Sequence, residues 1–221
     1  MPERTIVRRT RRALGPICGF LFAAAPTMPA AAMEFHVKPP LILAEGDIKN
    51  GDENTFRRLL AGQAKGTIKG VVLHSHGGFV YAAGEIGRSI RENGLVTVVD
   101  ASRFTCVSAC TILFAAGTGR IYLNAGNVPD GVVARSGRGL GFHAGSSSLS
   151  RDADGYSGAG TARVIAFLYE FGVPGAADLT TRAPPNSIFM VSGPTALQIG
   201  LATSLGANSA NGSGTKKKGR P

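Results

Sequence analysis

The residues best suited to chemistry lie in the segment FTCVSACTILFAAGTGR, where Ser108 stands midway between Cys106 and Cys110. A serine at the turn from a strand into a helix can expose its hydroxyl as a nucleophile, although serine is also a common helix N-cap. His143 follows the apolar run GLGF, and a histidine at a strand end can serve as a general base for a neighbouring turn. A lone histidine is more often a hydrogen-bonded core residue, so the case for chemistry depends on the surrounding elements.

A pair of glycines, Gly77 and Gly78, separates the apolar run GVVLHS from a helical pattern that begins near Phe79. Glycines at such a point let backbone N–H groups come close to a ligand, and the helix dipole there favours negative charge. These are the physical requirements of an oxyanion hole. The same pair of residues also occurs in ordinary tight turns.

The two cysteines leave two interpretations open. A zinc site needs about four ligands, and no second cysteine pair or suitably spaced histidine accompanies Cys106 and Cys110, so we predict no metal. In an oxidising compartment they could form a disulfide, provided that Cys106 lies just outside the helix. Otherwise they are two small thiols buried beside the helix.

Strand and helix patterns alternate along the chain. The predicted strands cover residues 41–48, 70–75 and 95–100, and the predicted helices cover 52–62, 79–94, 108–116 and 161–171. Asp52 and Ser192 are the predicted N-caps of the first helix and of a short final helix. Residues 124–139 form a Gly- and Arg-rich loop, either an insertion or a lid. Alternation at this spacing predicts right-handed βαβ units in a single α/β domain.

The N-terminal segment has the order of a secretory signal peptide: a basic start, an apolar stretch and small residues up to about residue 32. The prediction is therefore a signal peptide over 1–32, a folded domain over 33–206 and a disordered basic tail over 207–221. The mature protein is expected in the periplasm or outside the cell, or anchored to the membrane if the segment is not cleaved.

Most of the positive charge lies outside the predicted domain. The formal charge is +10 for the whole chain, but residues 1–32 hold five Arg and one Glu, and the tail TKKKGRP holds four more positive charges. The predicted domain is therefore close to neutral. The basic composition accordingly gives no reason to expect a nucleic-acid partner.

The order of the motifs resembles the proteolytic subunit of the Clp protease and its wider Clp/crotonase superfamily, in the form of exported Clp-like proteins. SHGG at 75–78 matches the family's Ser-Pro-Gly-Gly turn, with His76 in place of the proline. SACTILFAAG at 108–117, GFHAG at 141–145 and FMVSGPTALQIGLAT at 189–203 match later family segments. The resemblance covers about residues 41–203 and implies an α/β fold, a Clp/crotonase-like spiral of βαβ (ββα) units.

The resemblance also implies roles for individual residues. Ser108 would attack a carbonyl, and His143 would take the proton from its hydroxyl. The backbone N–H groups of Gly77 or Gly78, together with that of Ala109, would hold the oxyanion. The family's third residue is an aspartate shortly before the Phe-Met segment, and this chain has none at that place.

Two residues are candidates for that third position, where a side chain would orient the histidine. Asn186 is the nearest polar residue in TTRAPPNSIFM, and asparagine orients histidine in other hydrolases. Asp178, eleven residues before Phe189, is the second candidate.

Taken together, the sequence predicts a periplasmic serine hydrolase that acts on peptides or proteins without a cofactor. No segment resembles the axial loops that dock an unfoldase, so no ATPase partner is expected, whereas self-association is expected from the resemblance. The principal alternative is a non-catalytic binding or assembly protein with a degenerate site. A crotonase-like acyl-thioester enzyme is a third hypothesis, disfavoured by a location away from coenzyme A.

Overall fold

The computed structural model describes residues 32–135, 137–147 and 155–206. The predicted tail, and the predicted signal peptide up to residue 31, lie outside these residues. The described strands are β1 Glu34–Lys38, β2 Leu41–Glu45, β3 Gly70–His74, β4 Val96–Asp100, β5 Thr105–Val107, β6 Arg120–Leu123, β7 Gly131–Val133, β8 Gly139–Phe142 and β9 Ile188–Val191. The described α-helices are α1 Asp52–Ala61, α2 Val80–Glu92, α3 Cys110–Ala116, α4 Gly158–Glu170 and α5 Gly193–Gln198.

The strands form two sheets. The first has the order β1-β2-β3-β4-β6, in which β2, β3, β4 and β6 run parallel and β1 pairs antiparallel with β2. Parallel neighbours need crossover connections, and α1, α2 and α3 lie in the segments that join them. The predicted α/β domain with alternating strands and helices is therefore confirmed.

The second sheet has the order β5-β8-β9-β7, with β5 parallel to β8 and β9 antiparallel to both of its neighbours. A single bridge between Ser75 and Cys106 joins the end of β3 to β5. In this bridge the Ser75 N–H donates to the Thr105 carbonyl and the Val107 N–H donates to the Ser75 carbonyl. The glycine turn after β3 and the serine turn after β5 are thus held side by side.

The core lies around α3, in which every residue is buried. Tyr122 of β6 links the two sheets through its buried hydroxyl, which donates to the Val191 carbonyl (3.0 Å) and accepts from the Leu140 N–H (2.9 Å). Burial raises the pKa of Tyr122 to about 12, so this hydroxyl stays protonated and able to donate.

The helix termini agree only in part with the sequence prediction. Ser192 caps α5 as predicted, since its hydroxyl accepts from the Thr195 N–H. The prediction of Asp52 as the cap of α1 is wrong, because Gly51 in a left-handed conformation is the N-cap and Asp52 is the first helical residue. The Asp52 carboxylate accepts instead from the N–H groups of Lys49 and Met33, which ties the start of α1 to the incoming chain.

β1 and β7 lie in segments that were not predicted as strands from the sequence. The predicted loop 124–139 contains a 3-10 turn at Ala125–Asn127 and the short strand β7. β1 is mostly exposed, although its sequence EFHVK alternates polar and apolar residues as a half-buried strand does. None of the helices in the described ranges combines the length and the apolar composition that crossing a bilayer requires.

The Asp130 carboxylate links the segment around β7 to the start of α5, and this contact should make the stability of the protein depend on pH. The Asp130 carboxylate accepts from the Ser192 N–H, the Ser192 hydroxyl and the Thr195 hydroxyl at 2.7–2.8 Å. Partial burial alone would raise the pKa of Asp130, but these hydrogen bonds outweigh it and leave the pKa below its usual value. A lowered folded-state pKa stabilises the protein above the unfolded-state pKa, and this contribution disappears as the pH falls through the folded-state pKa.

We therefore expect Asp130→Asn to lower the free energy of unfolding by about 1 kcal/mol at pH 7. The difference from the wild type should shrink as the pH falls below about 4. Urea unfolding of the wild type and the variant at several pH values measures the difference in the free energy of unfolding and its change with pH. Asp178→Asn is the matched control, because the exposed Asp178 side chain makes no contact of this kind in the described residues. A difference that stays constant down to pH 2 would contradict the prediction.

Candidate active site

Ser108 occupies a sharp turn between β5 and α3, with a positive φ of 57°. A positive φ is uncommon for a residue other than glycine and points to a functional constraint. The N-cap of α3 is Ala109, and no side chain caps this helix. The alternative that Ser108 is an ordinary N-cap is therefore excluded. The geometry is that of a half-buried serine at a strained strand-to-helix turn.

The backbone of Ser108 is held on both sides. Its N–H donates to the Gly141 carbonyl of β8 at 3.0 Å. Its carbonyl accepts from the N–H of Thr111 (3.0 Å) and from the Thr111 hydroxyl (2.7 Å). The pairing of β5 with β8 thus fixes the serine relative to the strand that ends at His143.

Ser108, His143 and Gly78 line one small cavity of about 40 Å³. The other lining side chains are mainly apolar and include Val80, Phe142 and Val164. Its volume is close to that of one water molecule, so it can admit a small group such as a carbonyl. Among the described residues no hydrogen bond joins the Ser108 hydroxyl to His143. The structure therefore brings the predicted nucleophile and base to the same cavity without direct contact.

The imidazole of His143 is oriented by the main chain. Its Nδ1 lies 2.6 Å from the Ala144 carbonyl oxygen. Because a carbonyl only accepts, Nδ1 carries the proton in this contact, and Nε2 keeps the lone pair that a general base needs.

The peptide that carries the Ala144 carbonyl is itself held in place. The Gly145 N–H donates to the Thr161 hydroxyl (2.8 Å), which in turn donates to the Ser157 carbonyl (2.9 Å). Thr161 is only 4% exposed, so this chain of hydrogen bonds is shielded from water. The N-terminal turn of α4 therefore supports the orientation of His143.

The structure departs from the prediction at the third position. Asn186 is exposed and does not line the cavity, and it lies in a turn closed by the hydrogen bond from the Ser187 N–H to the Pro184 carbonyl. Asp178 is also exposed, and among the described residues its carbonyl accepts from the Thr181 hydroxyl while its carboxylate does not line the cavity. The partner of His143 is thus a main-chain carbonyl and neither candidate side chain.

The two glycines of the SHGG turn have different roles. The Gly77 N–H donates to the Ser75 hydroxyl at 3.0 Å, and the Gly77 carbonyl accepts from the Ile48 N–H at 2.8 Å. Within the described part of the chain, the N–H groups of Gly78 and Ala109 donate to no other group. Of the three predicted oxyanion donors, Gly78 and Ala109 therefore keep an N–H available to a ligand, whereas the Gly77 N–H is already bonded.

Gly77 is needed for the close approach of the two turns. A Cβ atom at this position would lie 2.7 Å from the Ser108 Cβ, 2.9 Å from the Val107 carbonyl oxygen and 3.0 Å from the Ala109 nitrogen. Only glycine lets the SHGG backbone lie against the serine turn at this distance.

The two cysteines form a disulfide, with their Cα atoms 5.2 Å apart. Cys106 lies in β5, outside the helix, as the disulfide hypothesis required, and both residues are fully buried. In the described ranges no cluster of three or more His, Cys, Asp or Glu side chains could hold a metal ion. A larger cavity of about 530 Å³ lies beside the 124–138 segment and contains none of the candidate site residues.

Part of this site had no signal in the sequence. The carbonyls of Gly141 and Ala144 act through the main chain, which every residue type supplies. Thr161 could only have been recognised as a possible helix-start residue near TAR, and nothing in its spacing connects it to His143.

The fold is an α/β fold of the Clp/crotonase type. No protein-family model matches the chain, and no curated protein matches it in sequence. Among solved structures it is similar to a serine-to-alanine mutant of 1510-N membrane-bound stomatin-specific protease, with a TM-score of 0.51 and 14% identity over 74% of this chain and 77% of that chain.

Two further structures fill out the comparison. A lysine-to-alanine mutant of the same protease in complex with a substrate peptide has a TM-score of 0.50 and 14% identity, over 74% of this chain and 73% of that one. A protein assigned as an enoyl-CoA hydratase from Streptomyces coelicolor A3(2) has a TM-score of 0.45 and 18% identity, over 85% and 71% of the two chains. At 14% identity the likeness to the protease establishes the fold alone.

Proposed function

We propose that the protein is a periplasmic serine hydrolase that cleaves peptides or proteins through Ser108. The observation that carries the proposal is the left-handed conformation of Ser108 at a cavity shared with His143 and Gly78. A serine with an ordinary structural role would cap the helix with its side chain, and Ser108 does not.

The mechanism is acyl transfer. The Ser108 hydroxyl oxygen attacks the substrate carbonyl carbon while Nε2 of His143 takes the hydroxyl proton. The carbonyl oxygen becomes an oxyanion that accepts from the N–H groups of Gly78 and Ala109. Collapse of this intermediate breaks the bond to the leaving amine, which receives the proton from His143. A water molecule, deprotonated by His143, then hydrolyses the acyl-enzyme.

A peptide substrate is favoured by two observations. The fold is shared with a protease that has been crystallised with a substrate peptide. The cavity itself holds little more than the reacting group, so the rest of the substrate must lie on the surface outside it. Phe79 and Tyr81, each 47% exposed, offer apolar area directly after Gly78.

A periplasmic location rests on the order of residues 1–32 and is supported by the disulfide, because disulfides persist in oxidising compartments. A non-catalytic binding protein remains the second candidate. The missing hydrogen bond between Ser108 and His143 in the described structure is the observation that favours it. Catalytic hydrogen bonds often tighten only when substrate is bound, which is why we prefer the hydrolase.

Labelling with a fluorophosphonate tests the proposal, because this probe reacts with activated serines. We expect the wild type to be labelled at Ser108, Ser108→Ala to remain unlabelled, and His143→Ala to react about a hundredfold more slowly or worse. Ser102→Ala is the matched control, because Ser102 is an exposed serine outside the cavity. Absence of labelling in the folded wild type would instead support the binding protein, and equal labelling of Ser108→Ala would show that Ser108 is not the reactive serine.

A further inference from the structure

The left-handed conformation of Ser108 is unfavourable for a serine, so other contacts must stabilise it. Among the described residues only Ser108 and Asn124 have a positive φ without being glycine. Asparagine tolerates the left-handed region comparatively well, whereas serine gains no such local compensation. A serine that follows a strand and precedes a helix would ordinarily adopt an extended conformation and cap the helix.

The disulfide encloses this serine. Cys106 precedes Ser108 by two residues and Cys110 follows it by two, so the covalent ring contains the whole turn. In an extended chain, residues four apart would be separated by about 13 Å. The two Cα atoms are 5.2 Å apart, and the chain must therefore reverse within three residues.

The noncovalent contacts of the turn do not enforce this reversal by themselves. The bonds from Thr111 to the Ser108 carbonyl belong to the first turn of α3 and would also form if Ser108 were an N-cap. The bond from the Ser108 N–H to Gly141 is a single reversible contact. Because Cys106 is the middle residue of β5 and Cys110 begins α3, the disulfide ties the strand covalently to the helix across the serine.

We infer that the Cys106–Cys110 disulfide is a positioning device that keeps Ser108 in its reactive, left-handed conformation. The inference rests on the proposed function of Ser108 as a nucleophile. Without the disulfide, Ser108 takes the extended conformation of an N-cap, and its hydroxyl accepts from an N–H of the first turn of α3. The hydroxyl is then turned away from the cavity that Gly78 and His143 line.

Removal of both cysteines tests the inference. The variants are Cys106→Ala/Cys110→Ala and Cys106→Val/Cys110→Ala, the second of which refills part of the core volume with a residue that suits a strand. Two quantities are measured for each: the rate of fluorophosphonate labelling, and the backbone chemical shifts of Ser108 by NMR, which report its φ and ψ. We expect labelling to slow by about tenfold or more, with Ser108 shifts that move to extended values.

Ile42→Ala is the matched control, because Ile42 is fully buried in β2, away from the serine turn, and its truncation also destabilises the protein. We expect it to lower the melting temperature without slowing the labelling. If neither cysteine variant folds, the wild type held reduced by tris(2-carboxyethyl)phosphine, identified by a mass gain of about two daltons, is measured in the same way.

Failure of the inference and failure of the proposed function give different results. Labelling at the wild-type rate, or unchanged Ser108 shifts in the absence of the disulfide, overturns the positioning role while the hydrolase proposal stands. No labelling of the oxidised wild type overturns the hydrolase, and the Ser108 shifts then decide the positioning role alone. A shift to extended values on loss of the disulfide would still support it.

Discussion

Replacement of Gly78 by alanine is expected to lower the free energy of unfolding by about 3 kcal/mol or more and to abolish labelling of Ser108. Gly78 has a φ of 134°, which side-chain-bearing residues rarely adopt. A Cβ atom at this position would lie 2.2 Å from the Ile48 carbonyl oxygen. That carbonyl accepts from the Phe79 N–H, so it cannot move aside without breaking the bond that holds the start of α2.

Gly94→Ala is the control that separates the energetic cost of a positive φ from the cost of steric overlap. Gly94 also has a positive φ (63°), but a Cβ atom there would meet nothing within 4 Å. Gly94→Ala should therefore lower the free energy of unfolding by about 1 kcal/mol and leave labelling of Ser108 unchanged. Urea unfolding and labelling are measured on both variants. Equal unfolding midpoints for the two would show that the contact with Ile48 is unimportant.

Tyr122→Phe is expected to lower the free energy of unfolding by roughly 2–4 kcal/mol, because it removes a hydroxyl that satisfies two buried backbone groups. The Val191 carbonyl would lose its donor and the Leu140 N–H would lose its acceptor. Both residues are fully buried, so water cannot readily replace the hydroxyl. Phenylalanine keeps the rest of the side chain, and the change therefore isolates the hydrogen bonds.

Tyr169→Phe is the control for Tyr122→Phe, since Tyr169 is 61% exposed on α4. It should change the free energy of unfolding by less than about 0.5 kcal/mol. Hydrogen exchange of the Leu140 amide adds a local measurement, because this N–H should become much less protected when its acceptor is removed. A Tyr122→Phe protein as stable as the wild type would contradict the assignment of this hydroxyl as the link between the sheets.

Much of the fold could be predicted because its signals are local. The periodicity around α1, α2 and α4 and the cap at Ser192 each lie within a few residues of the element that they define. β7 could not be predicted in this way, and β1 was not predicted although its sequence EFHVK alternates polar and apolar residues. Each is a short strand at the edge of its sheet, and its existence depends on pairing with β2 or β9.

In the candidate site, too, the features with a local signal in the sequence could be predicted, and those that depend on tertiary contacts could not. Ser108 and His143 could be selected because their residue types carry chemistry and their order along the chain is informative. The distinction between Gly77 and Gly78 could not be made, since it depends on which N–H is already bonded to Ser75. The prediction of Asn186 failed to find the partner of His143 because it searched for a side chain where the fold supplies a carbonyl.

The main-chain partner of His143 has a consequence for how this protein can change over evolutionary time. Any amino acid supplies a carbonyl, so position 144 is restricted by the space available to the nearly buried Ala144 and not by chemical type. Substitutions at positions 178 and 186 would not disturb this contact. A survey that recognises hydrolases by three characteristic side chains would class such a protein as inactive, although its histidine is held in the tautomer that proton transfer requires.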